Sequence, residues 1–185
     1  MLMSQFKFPV EQIYVGVIPD ENLSGTWQAT DWCQFAKVNH RFTKNGIYLT
    51  TEANKLYDNT VHHWFDRQPS VDAMEIAAHG NKLFERTDQQ FYSAYKPMVF
   101  GDHTLVTPAD SGAMLVNFAM FPHVYQPSGS INISRAREFY IKLYSSVIGF
   151  PGSTGVIQAG QMIACARAMN FLVISDGSAV LRYST

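Results

Sequence analysis

The sequence predicts an all-β sandwich or barrel, on three observations. Apolar residues recur with a period of two, Pro and Gly break the chain at short intervals, and the C-terminal stretch carries a hairpin signature. Successive side chains of a strand point to opposite faces, so alternation marks a half-buried strand. Ile13, Val15 and Val17 alternate with Tyr14 and Gly16, and Ile47 and Leu49 flank Tyr48. Residues 71–78 are rich in the helix formers Ala, Met and Glu, but Met74 and Ile76 alternate with Ala73 and Glu75, so a strand is expected. Met114, Val116, Phe118 and Met120 define one face of the next run, and Phe139, Ile141 and Leu143 one face of another. At the end, the apolar runs 171–174 and 179–183 flank Ser175-Asp176-Gly177-Ser178, whose Asp-Gly suits a tight turn with positive φ.

The span 20–67 reads differently. Only 47–51 looks like a strand there, and Trp27, Trp32, Phe35, Tyr57, Trp64 and Phe65 are scattered among polar residues. Long loops with short helices, anchored by buried rings, are expected across it; loops beyond ~12–15 residues are usually functional. No internal repeat, low-complexity tract or linker interrupts residues 1–185, so a single domain is expected.

Composition narrows the function classes. Of 185 residues, 46% are hydrophobic and only 16% charged, which rules out intrinsic disorder. With 14% aromatics as well, much of the surface should be covered by a partner or by assembly. A net charge of −1 gives no electrostatic reason to expect nucleic acid or an anionic membrane as ligand. The two cysteines, Cys33 and Cys165, form no disulfide framework and suit a reducing compartment. Residues 1–10 lack the apolar core of a signal peptide, and no apolar run approaches the ~18 residues of a membrane-spanning helix.

Each motif that could carry chemistry has a plainer reading. Asp110-Ser111-Gly112 resembles a serine nucleophile segment, but a triad needs a base and an orienting acid around the serine, and these three residues are also ordinary turn composition. His62-His63 with Asp58 and Asp66 could hold a metal. Adjacent histidines diverge on either a strand or a helix, and the His-x-His pair of a cupin is missing, so surface histidines are expected. Gly149, Gly152 and Gly155 lack the Lys-Ser/Thr that follows a phosphate-binding loop. Arg135, Arg137 and Lys142 lie beside Glu138 without a wider basic stripe, which favours ion pairs over nucleic acid. Asn22-Leu23-Ser24 and Asn132-Ile133-Ser134 match the glycosylation sequon, which is used only in the secretory path. No catalytic residue, cofactor or metal is expected.

One segment narrows this further. Residues 125–141 contain Pro127-Ser128-Gly129, Asn132, Ser134-Arg135, Arg137 and Glu138-Phe139-Tyr140. The segment resembles the Pro-Ser-Gly-x-x-Asn-x-Ser-Arg core of the major capsid proteins of nucleocytoplasmic large DNA viruses. Its Arg-Ala-Arg-Glu-Phe-Tyr continuation is similar to the branch of African swine fever virus and amoeba-infecting relatives such as faustovirus. The C-terminal residues 170–185, the stretches 78–81 and 107–114, and the opening Leu2-Met3-Ser4 with Lys7, Pro9 and Glu11 match in the same order. The likeness is weakest between about residues 22 and 69.

That resemblance implies a jelly-roll fold and a structural role. Members carry two jelly rolls in one chain and assemble as homotrimers, giving pseudo-hexagonal capsomers that tile an icosahedral virion built in the host cytoplasm. This chain would then be most of the second barrel, beginning after its first strand. The N-terminal jelly roll, neighbouring capsomers and minor capsid proteins would be its partners, and Met1 would not be the start of the mature protein. Unpaired strand edges would make the isolated chain poorly soluble. The 127–138 motif would serve structurally, with Arg135 and Arg137 able to bind carboxylates or carbonyls bidentately. The span 20–67 would be the outward tower of the capsomer or a contact at its three-fold axis. A jelly-roll carbohydrate- or receptor-binding head is the alternative, and it would need exposed Trp27, Trp32 or Trp64.

Overall fold

The computed structural model describes residues 8–24, 34–44, 47–48, 61–100, 110–122, 124–133, 138–149 and 159–182. In chain order the elements are β1 (Pro9–Pro19), α1 (Asp20–Ser24), β2 (Ala36–Lys44), β3 (Ile47–Tyr48), β4 (Val61–Pro69), β5 (Ala73–Ala78) and β6 (Asn81–Asp88). A wide helical turn (Phe91–Tyr95) runs into α2 (Lys96–Phe100). There follow β7 (Met114–Asn117), β8 (Ile131–Asn132), β9 (Phe139–Tyr144), β10 (Gly160–Ala168), β11 (Leu172–Ser175) and β12 (Ser178–Leu181).

Two antiparallel sheets share one core. In the first, β1 lies between β10 and β7, and the short β8 extends the β7 side. The β1–β10 register runs from Val10 opposite Ala168 to Pro19 opposite Gly160. In the second, β5 lies between β6 and β9. Val10, Ile13, Val15 and Val17 of β1 and Met114 and Val116 of β7 meet Met74 and Ile76 of β5 and Phe139 and Ile141 of β9. This interleaving of facing side chains is the core of a β-sandwich.

Two serines tie the sheets together where they converge. The buried Ser70 hydroxyl lies between the carbonyls of Val17 (2.7 Å) and Phe35 (2.5 Å). Ser145 donates to the Ser70 carbonyl at 2.6 Å and accepts the amides of Val147 (3.1 Å) and Ile148 (2.8 Å). Groups that would otherwise be orphaned in an apolar seam are thereby satisfied.

Several expected strands occur as read. β9 buries Phe139 and Ile141 and exposes Lys142. The span 71–78 forms β5, whose six residues are all buried. β7 also buries both faces over Met114–Asn117, and the expected run ends there, since Met120 is 65% exposed. The terminal hairpin turns on Asp176 (φ 49°) and Gly177 (φ 79°), pairing Ser175 with Ser178. Positive φ at both central residues gives a turn whose twist suits the flanking strands.

The reading of 20–67 as long loops is corrected. It contains α1 and the nine-residue β2, which pairs with the nine-residue β4 from Ala36 opposite Pro69 to Lys44 opposite Val61. The strand expected over 47–51 is the two-residue β3, the other neighbour of β2. The reason is solvation: His62, Trp64, Asp66, Arg67 and Gln68 of β4 are all exposed. With these side chains in solvent, the strand carries no apolar alternation for the sequence to show. Trp27, Trp32 and Tyr57 lie outside the described residues.

Candidate assembly surface

The part of the 125–141 segment that is described acts through its backbone. Ser128 Oγ accepts the Phe121 amide at 2.7 Å, closing the loop that follows β7. Gly129 has φ +152°, and a Cβ there would stand 2.9 Å from the Phe118 carbonyl oxygen, so a side chain would meet both strain and collision. Two residues on, β8 pairs with β1, Asn132 opposite Pro9 and Ile131 opposite Val10. Pro127 is exposed. The exposed Glu138 uses its carbonyl to accept the His79 amide at 2.9 Å, linking the start of β9 to the end of β5. Ser134, Arg135 and Arg137 lie outside the described residues.

The remaining polar motifs serve the fold. Asp110 accepts the Gly112 amide at 2.9 Å on one oxygen and the Phe35 amide on the other, so its carboxylate holds a turn against the start of β2. His62 is exposed on β4, and Asp58 lies outside the described residues; among the described residues no group of three or more His, Cys, Asp or Glu could hold a metal. Gly152 and Gly155 also lie outside the described residues. Asn22 is buried, and its Nδ2 donates to the carbonyls of Gln34 (3.0 Å) and Ala36 (2.9 Å), seating α1 against β2.

Two charged groups escaped the reading of the sequence. Glu75 sits among the buried residues of β5, 3.2 Å from Lys142 Nζ, 3.6 Å from Lys82 Nζ and 3.4 Å from the Tyr144 hydroxyl. The Lys142 hydrogen bond, reinforced by the charges of Lys142 and Lys82, holds this carboxyl below its ordinary range. The same bond raises the Lys142 ammonium. Lys96 is 6% exposed, with Nζ 4.7, 5.0 and 5.3 Å from the ring centres of Phe84, Phe100 and Phe91. Burial lowers its pKa, while the three ring faces attract the cation. Only the Glu75–Lys142 pair had a sequence signal, since they fall on strands with a clear register.

What the surface offers is apolar contact. Met120, Phe121, Val124 and Tyr125 are exposed on the loop after β7, and Tyr95, Met98 and Val99 on the helical segment. The β11–β12 hairpin exposes every residue of both strands. On the outer side of the first sheet lies an open cleft of about 290 Å³, lined among others by Tyr14, Phe35, Pro97, Leu115, Ile163 and Cys165.

An antiparallel β-sandwich whose described polar motifs serve the fold, and whose loop after β7, helical segment and terminal hairpin expose apolar side chains, has the build of a structural protein that works by contact. The family described as large eukaryotic DNA virus major capsid protein matches residues 5–180. An African swine fever virus major capsid protein is 35% identical over 198 residues, covering 100% of this chain and 30% of the relative. The hexon protein p72 of another strain of that virus matches equally, at 35% over the same shares. The solved faustovirus major capsid protein superposes with a TM-score of 0.62 at 35% identity, over 79% of this chain and 27% of that one. The PBCV-1 virus capsid, with a TM-score of 0.60 at 20% identity over 100% of this chain and 45% of that one, shares the fold. The chain belongs to the large eukaryotic DNA virus major capsid protein family. It spans 30% of the length of the curated relatives it matches.

Proposed function

We propose that this chain is the second jelly roll of a longer capsid subunit, a single domain whose work is assembly and not catalysis. Three copies of the subunit form a pseudo-hexagonal capsomer, and capsomers tile an icosahedral virion assembled in the host cytoplasm. The observation that carries this reading is the end-to-end 35% identity to capsid proteins about three times longer. The N-terminal jelly roll of the same polypeptide is its first partner. Neighbouring capsomers and minor capsid proteins are the remaining partners; nucleic acid and cofactors are not.

Within this reading Pro127, Ser128, Gly129, Asn132 and Glu138 hold the loop after β7 and the starts of β8 and β9, and Ser134, Arg135 and Arg137 continue the same structural motif. The test is the native mass of the particle that contains this chain. A trimer of a much longer polypeptide is expected, and a lone small monomer would overturn the proposal. A receptor- or glycan-binding head is the second reading, favoured by Trp64, which is 47% exposed beside His62 and Asp66 on β4. Glycan-array binding by a non-trimeric protein would decide for it.

A further inference from the structure

We infer that residues 93–100 form a strap, hinged on the wide turn before α2, which opens by returning Lys96 to water and takes one wall of the apolar cleft with it.

The segment is inside out. A helix lying on a core turns its apolar residues inward and its polar ones to solvent. Here Ser93 and Lys96 are buried, each 6% exposed, while Tyr95, Met98 and Val99 are 48%, 71% and 49% exposed. An ammonium taken out of water is costly unless an anion or hydrogen bonds answer it. Lys96 has ring faces in their place: Phe84 of β6, Phe91 of the wide turn and Phe100 of α2. Burial alone lowers its pKa, and no carboxylate among the described residues offsets that. The strands packed against the segment offer none. β7 carries no charged residue. On β6, Lys82 meets Glu75, Arg86 lies over the Tyr144 ring, and Glu85 and Asp88 are exposed. The rings therefore return less than burial takes, and the closed strap holds its cation under load.

The backbone is fastened as lightly. The Lys96 amide reaches back five residues to the Phe91 carbonyl, a rare kind of turn that recurs at functional sites. Pro97 has no amide to donate, and α2 is five residues long, too short to keep its shape without packing. The start of the segment is anchored instead: Tyr92 has no exposure, and its ring meets Phe84 edge-on at 6.4 Å. A fixed base, a loose turn and a loaded tip make a hinge with a direction. Pro97, next to the tip, lines the cleft together with Tyr14 and Leu115. When Lys96 leaves its rings, Pro97 leaves that wall, and Leu115, 2% exposed while the strap is closed, meets solvent.

Hydrogen–deuterium exchange on the subunit in its native assembly reads the strap, with residues 73–78 of β5 as internal reference. Lys96→Met, which fills the space without charge, should slow exchange over 93–100 at least tenfold and leave 73–78 unchanged. Lys96→Arg, which keeps a cation, should leave it as fast. A second measurement needs no substitution: in the unaltered protein Lys96 should be acetylated by acetic anhydride, at a slow measurable rate, while the native mass holds. Exchange that Lys96→Met leaves unchanged or speeds, or that both substitutions slow alike, overturns the inference. So does a Lys96 amine that stays unmodified until the subunit unfolds. The native mass tests the capsomer reading separately and is untouched by either result.

Discussion

Strand β5 and the β11–β12 hairpin are both apolar β-structure, yet β5 is buried along its whole length and the hairpin is exposed along all of it. The difference lies in what surrounds them. β5 has a hydrogen-bonded neighbour on each edge and core contacts from the opposite sheet, whereas among the described residues each hairpin strand has only the other. Apolar sequence specifies that a face will be covered; the fold decides whether the cover is the chain itself or another molecule. Stability should therefore depend on β5, and association on the hairpin.

The largest test compares two isoleucines. Ile76→Ala, at a position with no exposure, is expected to lower unfolding free energy by about 2–5 kcal/mol in denaturant titration. Ile174→Ala should change it by less than about 0.5 kcal/mol while weakening association on sizing chromatography. Equal losses at the two sites would break the comparison. Two glycines give the next contrast. Gly129→Ala meets both positive φ and the Phe118 carbonyl, so about 1–3 kcal/mol should be lost. Gly177→Ala faces open space and pays only the left-handed backbone cost, about 1 kcal/mol.

The smallest effect is a pH dependence centred on β5. The Glu75 carboxyl is held down by Lys142 and Lys82, so the unfolded chain takes up the proton first. Its stabilising contribution is complete above the unfolded value near ~4.3 and is lost as pH falls through the lower folded value. Lys142 is raised by the same contact. Its contribution is complete below the unfolded value near ~10.4 and is lost as pH rises through the higher folded value. Both lysines are half exposed, so solvent screens the pair. The melting-temperature gap between the protein and its Glu75→Gln variant should be widest near neutrality and narrow on both sides; a constant gap would count against the ion pair.

Legibility in the sequence followed burial. β1, β9 and the hairpin were readable because alternation or an Asp-Gly turn is written into single residues. β10 was not: its inward residues Met162, Ala164 and Ala166 are small or flexible and resemble helix composition. β6 is polar along most of its length, and the nine-residue register of β2 with β4 is a backbone pairing that side-chain patterns do not report. The 125–141 segment was legible as a family mark, but the work of Ser128 and Gly129 depends on Phe118 and Phe121 across a loop. The Ser70–Ser145 tie joins residues far apart in sequence, with no local signal, and the burial of Lys96 depends on Phe84 of β6 reaching over the local rings of Phe91 and Phe100.

The seating of α1 also sets an order of events. Attachment of a sugar to Asn22 would need its side-chain nitrogen free, and in the folded chain both hydrogens of that nitrogen point at the carbonyls of Gln34 and Ala36. A copy diverted through a secretory compartment could be modified there only ahead of folding, and the added sugar would then hold α1 away from β2. Glycan at Asn22 would therefore act as a timestamp, marking chains that met the transferase before they met their own fold.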